Sequence, residues 1–183
     1  MNMPKTLRVA AGATLAFSLV AGALAGGIYA AGGRLNTSKS LELGLYFITE
    51  RPVEKGAYVM VCPPQSQVFN EARARGYIDS GFCPGGYGHL MKKILAAKGD
   101  TVSATPEGVT VNGVVLPYSK PFAADGIGRP LPQYSPDHYT LGESELFLMS
   151  DRSPTSFDGR YFGPITRGQV TSVIRPVLTW KGE

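Results

Sequence analysis

The hydrophobic pattern changes character once along the chain, near residue 31. From Val9 to Ala31 there is no charged residue. This run of about 23 residues exceeds the roughly 20 that a helix needs to cross a bilayer core. Lys5 and Arg8 precede it, a placement that keeps the N-terminus in the cytoplasm and sends the rest outward. Two readings fit: an uncleaved anchor, or a signal peptide cut after a small-x-small site such as Ala23-Leu24-Ala25. The length favours the anchor, because the apolar part of a signal peptide spans only about 7–15 residues. Either way the chain divides into residues 1–31, a membrane anchor or signal segment, and an exported domain over 32–183.

Beyond that point the apolar runs are short and bounded by Gly and Pro, which is the pattern of strands. Leu45–Thr49, Ala57–Cys62, Leu90–Ala97, Thr101–Ala104, Glu145–Met149 and Gln169–Thr179 read as strands. Val109–Val111 and Val114–Leu116 flank Asn112-Gly113, a pair that accepts the positive φ angles of a tight hairpin. Gln67–Arg75 has helical spacing and is closed by Gly76. Residues 117–140, with several Pro, Gly and Tyr, read as a long loop or extension. There is no internal repeat and no second domain boundary.

Composition agrees with a turn-rich β protein. Hydrophobic residues are 43%, enough for a packed core, while Gly 23 and Pro 14 are high and charged residues are only 17%. The net charge of +4 is modest and its basic residues are scattered, so no nucleic-acid partner is implied; a solvated or membrane-facing surface fits better.

Cys62 and Cys83 fall in the exported part. In an oxidising compartment they are expected to pair, closing a loop of about 20 residues for about 3 kcal/mol. Free structural thiols are the bland alternative. A zinc site is disfavoured by the isolation of His89 and His138.

Three segments hold candidate chemistry: Asn36-Thr37-Ser38-Lys39-Ser40-Leu41-Glu42-Leu43-Gly44-Leu45-Tyr46, Lys92-Lys93-Ile94-Leu95-Ala96-Ala97-Lys98-Gly99-Asp100, and the stretch from Ser150-Asp151-Arg152 through Ser156-Phe157-Asp158-Gly159-Arg160 to Gly163. Their order and content resemble the type I signal peptidase family of serine proteases. That family carries a Ser-x-x-Pro box, a Lys-Arg-x-x-Gly-x-x-Gly-Asp box and a Gly-Asp-Asn-x-x-x-Ser-x-Asp-Ser-Arg-Tyr-x-Gly box. The match is nearer to its conjugative-transfer branch, the TraF type, in which a cysteine pair brackets the stretch seen here as Arg75-Gly76-Tyr77 and Cys83-Pro84-Gly85-Gly86. The resemblance covers nearly the whole chain.

What it implies is specific. The fold would be a mostly β, signal-peptidase-like sheet or barrel domain with a short helical insertion, after an N-terminal apolar helix. Ser40 would be the nucleophile and Lys92 its base, making residues 32–183 a periplasmic serine peptidase domain. A serine hydroxyl needs a base beside it near neutral pH. A lysine serves only if its pKa falls from about 10.4 toward 7–8, which burial among apolar neighbours supplies. In a strand, Leu90, Ile94 and Ala96 share a face with Lys92, and Lys93 points the other way, toward a carboxylate partner. Ser38 matches an oxyanion donor beside the Ser40 backbone N–H; its bland role is a turn hydroxyl. Ser156 matches a serine that orients the lysine, and Asp158 with Arg160 a structural ion pair.

The chain also departs from the family. Glu42 sits where proline is usual. Ser150 and Arg152 replace Gly and Asn, Gly159 replaces Ser, and Lys98 stands in the proline place before Gly99-Asp100.

The function so implied is maturation of the pilin subunit of a conjugative transfer system, by cleavage after small residues, with hydrolysis or ring closure as the two ways to finish, on the periplasmic side of the inner membrane. The partners would be a precursor pilin or other exported substrate protein, and the membrane. Two alternatives stay open: a non-catalytic anchored β domain that assists assembly of a transfer or secretion channel, and a Ser–His–Asp site built on His89 or His138. No phosphate-binding loop and no metal-ligand cluster is apparent, so no cofactor is implied.

Overall fold

The apolar run folds as one helix, α1 (Lys5–Ala30). Within it Ala11–Ala30 has a mean hydropathy of 1.7 and is unburied. Its 20 residues rise about 30 Å, the thickness of a bilayer core. By length and composition it qualifies as a membrane span, a test that a signal sequence also passes. The structure, a computed structural model, describes residues 5–180. The side chains of Lys5 and Arg8, on which the orientation expectation rests, lie outside the described set. Residues up to Arg34 and residues from Leu35 onward form two separate compact units.

After α1 the elements run β1 (Gly33–Asn36), β2 (Leu43–Thr49), β3 (Tyr58–Val61), α2 (Gln67–Ala74), β4 (Ser80–Cys83), β5 (Leu90–Ala96), β6 (Thr101–Thr105), β7 (Gly108–Val111), β8 (Val114–Val115), β9 (Tyr139–Thr140), β10 (Glu145–Met149), α3 (Gly159–Phe162), β11 (Ile165–Thr166) and β12 (Val170–Trp180). The domain is mostly β, in two sheets. The larger has the order β1-β2-β12-β3-β5-β10-β11, and the smaller β8-β7-β6-β9. From β2 to β11 each neighbouring pair of the larger sheet is antiparallel.

Strand β5 shows why the sheet forms. Leu90, Lys92, Ile94 and Ala96 are buried while the residues between them are partly exposed, the alternation of a strand with one face on the core. The core above that face contains Val59, Val61, Ile94, Leu146 and Leu148, each less than 2% exposed, together with Phe69 of α2. A second cluster, with Val102, Val109, Phe147 and Met149, joins the smaller sheet to β10. At the hairpin, Asn112 has φ 53° and Gly113 φ 79°, the paired positive angles of a type I′ turn.

Some elements exceed the sequence expectations. Residues 117–140 are not wholly irregular: Ala124 bridges Pro130, and Tyr139–Thr140 pairs with β6. The short pieces β1, β4, α3 and β11 also form. All are two to four residues long, too short to leave a periodic signal, and are fixed by partners distant in sequence.

Candidate active site

Three parts of the chain converge. Ser40 lies in the turn between β1 and β2, Lys92 in the middle of β5, and Ser156 in the loop between β10 and α3. Lys92 Nζ is 2.5 Å from Ser40 Oγ and 2.9 Å from Ser156 Oγ. Ser156 Oγ is 3.1 Å from Ser40 Oγ. The two hydroxyls and the amine form a closed triangle.

Lys92 is only 4% exposed. Burial pushes its pKa down from 10.5 to about 8; the Asp158 charge opposes that drop and the Arg160 charge adds to it. The next residue points away, as strand geometry requires. Lys93 Nζ meets Asp151 Oδ2 at 2.6 Å, and this hydrogen bond holds its ammonium above its usual range.

The turn carrying Ser40 is clamped by Asn36, whose role the sequence reading missed. Asn36 Nδ2 donates to the carbonyls of Ser38 (2.9 Å), Leu41 (3.3 Å) and Glu42 (2.9 Å). Its Oδ1 accepts from the Ser38 N–H (3.2 Å) and from the Ser38 hydroxyl (3.0 Å). Asn36 is 4% exposed. The available signal was an Asn opening a turn-rich stretch, since a short amide readily bonds local backbone. Ser38 itself is exposed, and in this state its hydroxyl serves the turn.

Behind the triangle stands a buried ion pair. Asp158 and Arg160 have fully buried side chains, with Arg160 Nε to Asp158 Oδ1 at 2.8 Å. The second oxygen of Asp158 accepts from Arg160 Nη2 (2.9 Å) and from the Ser150 N–H (3.1 Å). Arg160 also donates to the carbonyls of Tyr118 (2.9 Å), Pro154 (2.8 Å) and Ser156 (2.9 Å). One guanidinium therefore stitches the loop holding Ser156 to the 117–140 extension. Such pairing is what keeps a buried charge tolerable.

Several departures from the family boxes find local reasons. A Cβ on Gly159 would stand 2.8 Å from the Leu148 carbonyl oxygen and from the Phe147 ring, so no larger residue fits. Ser150 Oγ accepts from the N–H groups of Arg152 (3.2 Å) and Ser153 (2.9 Å), closing its turn. Glu42 and Arg152 bind each other at 2.7 Å. Lys98 pairs with Glu143 at 2.7 Å on the open surface.

A cavity of about 580 Å³ opens at the triangle, lined by Ser40, Lys92 and Ser156 and also by Tyr77, Phe122 and Leu131. Its wall from the 117–140 extension is braced by Asp125, which accepts from Tyr77 Oη (2.6 Å) and Arg129 Nε (2.6 Å). Those bonds, led by the Tyr77 hydroxyl, hold the Asp125 carboxyl well below the usual carboxylate range. Neither histidine lines this cavity. His138 is exposed and bonded to its neighbour Asp137. His89 is exposed beside the cysteines. Cys62 and Cys83 form a disulfide with Cα atoms 5.4 Å apart, so their sulfurs offer no thiolate to a metal.

This mostly antiparallel β domain thus brings a serine, a buried lysine and a second serine together at one cavity. The chain belongs to the signal peptidase family S26, a family of serine peptidases, in its TraF-type branch: the model described as "Signal peptidase, peptidase S26" matches residues 5–180. Among its relatives, a plasmid transfer protein TraF of Escherichia coli is 60% identical over 173 residues, covering 94% of this chain and 97% of that one. A conjugal transfer protein TraF of Agrobacterium tumefaciens (strain 15955) is 39% identical over 169 residues, 89% of each chain. A crystal structure of signal peptidase I from Enterococcus faecalis matches with a TM-score of 0.41 at 18% identity, over 69% of this chain and 100% of that one.

Proposed function

We propose that residues 32–183 are a serine endopeptidase domain with Ser40 as nucleophile and Lys92 as general base. The observation that carries this is the 2.5 Å approach of a buried lysine amine to a serine hydroxyl inside a substrate-sized cavity. A neutral lysine has two N–H bonds and one lone pair. Ser156 accepts one N–H, which leaves the lone pair to face Ser40.

On attack, the Ser40 Oγ–carbon bond forms, its proton passes to Lys92 Nζ, and the carbonyl electrons move onto oxygen. The Ser40 backbone N–H serves as one oxyanion donor. Ser38 becomes a second when its hydroxyl turns away from Asn36. The Lys92 ammonium then gives its proton to the leaving amine as the C–N bond breaks. An ester on Ser40 remains, with the lysine neutral again. Water resolves that ester to a free acid, and an amine resolves it to a new amide.

The relatives' names place them in plasmid and conjugal transfer. We read the substrate as the pilin subunit of such a system, presented in the periplasm. Helix α1 holds the domain at the outer face of the inner membrane. If the pilin's own amino terminus is the resolving amine, the product is a ring.

Co-expression with candidate precursors tests this. Ser40→Ala and Lys92→Ala each abolish processing while the protein accumulates, and mass spectrometry separates a ring from a linear product heavier by one water. Processing that survives either substitution would instead support a non-catalytic domain that assists channel assembly.

A further inference from the structure

Two of the departures from the family boxes are each other's partners. Glu42 stands two residues after Ser40 and Arg152 lies in the third box, and their side chains meet at 2.7 Å. Together they line a second groove of about 390 Å³, along with Leu43, Pro154 and Trp180. The groove shares Lys39, Ser153 and Thr155 with the cavity that contains Ser40 and Lys92. The two therefore adjoin, and the second is lined by Leu41, Glu42 and Leu43, the residues that follow Ser40.

The open chemistry of this groove belongs to Arg152. Glu42 has both oxygens engaged, Oε1 by Arg152 and Oε2 by the Thr179 hydroxyl at 2.9 Å. Arg152 commits Nη2 to Glu42, and its side chain is 43% exposed. A guanidinium has five N–H donors in a planar fork suited to carboxylates. With Lys39 and Arg152 set against Glu42, the charged lining sums to a positive balance. Trp180 and Pro154 supply an apolar wall beside it.

We propose that this groove is a second substrate subsite: it takes the peptide segment after the scissile bond and selects an acidic side chain there through Arg152. The inference rests on Ser40 being the nucleophile, since that fixes where the scissile bond lies. The acyl part of the substrate stays with Ser40 in the first cavity. The departing segment follows Leu41–Leu43 into the groove.

The test uses the full-length protein in detergent and quenched-fluorescence peptides spanning the precursor's cut, with Asp, Asn or Lys placed singly at each position after the bond. At one position the wild type favours Asp over Lys in kcat/KM by about fivefold, the size of one partly exposed ion pair. Arg152→Gln brings that ratio near one, Arg152→Glu inverts it, Arg152→Lys keeps it, and Glu42→Gln keeps or raises it. A role limited to bracing the nucleophile turn would make Glu42→Gln and Arg152→Gln alike; that result overturns the proposal. So does a wild type indifferent to charge at every position. Ser40→Ala is run in parallel. Cleavage persisting there sinks the nucleophile assignment itself, whereas a dead Ser40→Ala beside a charge-blind wild type sinks only the subsite.

Discussion

Replacing Lys92 with methionine separates what the lysine does for folding from what it does for chemistry. The amine is buried, and its pKa lies at about 8 against 10.5 for the free side chain. At about 1.4 kcal/mol per pH unit, this displacement costs the folded state about 3 kcal/mol wherever both states are protonated. The sign follows from proton counting. Between pH 8 and 10.5 the unfolded chain binds the proton and the folded one does not, so stability rises with pH across that window. Methionine removes the charge. It also removes two hydrogen bonds, to Ser40 and Ser156, at about 1 kcal/mol each; those serines keep their bond to one another. Lys92→Met is therefore expected to be inactive, folded, and modestly more stable than the wild type at pH 7. The sharper reading is the gap between the two melting curves. From pH 7 to pH 10 the wild type should gain about 2–3 kcal/mol on the variant, or roughly 5–10 °C for a domain of this size. Groups common to both proteins cancel in that gap. A gap that stays constant within about 1 kcal/mol across this range would refute the claim that burial depresses Lys92.

Three further outcomes follow. On the proposed mechanism the neutral amine is the base, so kcat/KM should climb with pH through about 8 and level off above it; a rate flat from pH 6 to 9 would remove Lys92 from that role. Asn36→Ala unclamps three carbonyls of the nucleophile turn, and kcat should fall about tenfold with KM little changed, as single-turnover kinetics on a peptide substrate would register. Removing the disulfide that closes a 21-residue separation, as Cys62→Ala/Cys83→Ala, should cost about 3 kcal/mol, visible as a lowered denaturant midpoint, with a slope equal to or steeper than the wild type's because the unfolded chain is freed to expand.

How far the sequence could be read depended on the range of the interactions involved. The strand around Lys92 was legible because period-2 alternation is local: the same pattern that buries Leu90, Ile94 and Ala96 buries Lys92 and turns Lys93 toward Asp151. The Asn112-Gly113 hairpin was legible because backbone angles are a property of two residues. The wall built by residues 117–140 was not. Phe122 and Leu131 enter the cavity only because Asp125 is held by Tyr77, 48 residues away in sequence, and because Arg160 reaches the Tyr118 carbonyl. The clamp at Asn36 was half legible: the motif contained the residue, but only burial revealed that both ends of its amide are used.

The departures from the family boxes carry a further lesson about what a box is. Read as letters, Glu42, Ser150, Arg152 and Gly159 are four separate mismatches. In space they reduce to local solutions of packing and pairing. Gly159 is the residue that fits against the Leu148 carbonyl and the Phe147 ring. Ser150 supplies a hydroxyl that closes the turn before Ser153. Glu42 gives up the rigidity of proline, which fixes φ through its ring, and is held instead by Arg152 and Thr179. A proline brace is inert, whereas an ion pair at the same place is also a charged surface. Exchanging the one for the other beside Ser40 leaves the turn fastened and adds the charged group on which the proposed peptide selectivity rests.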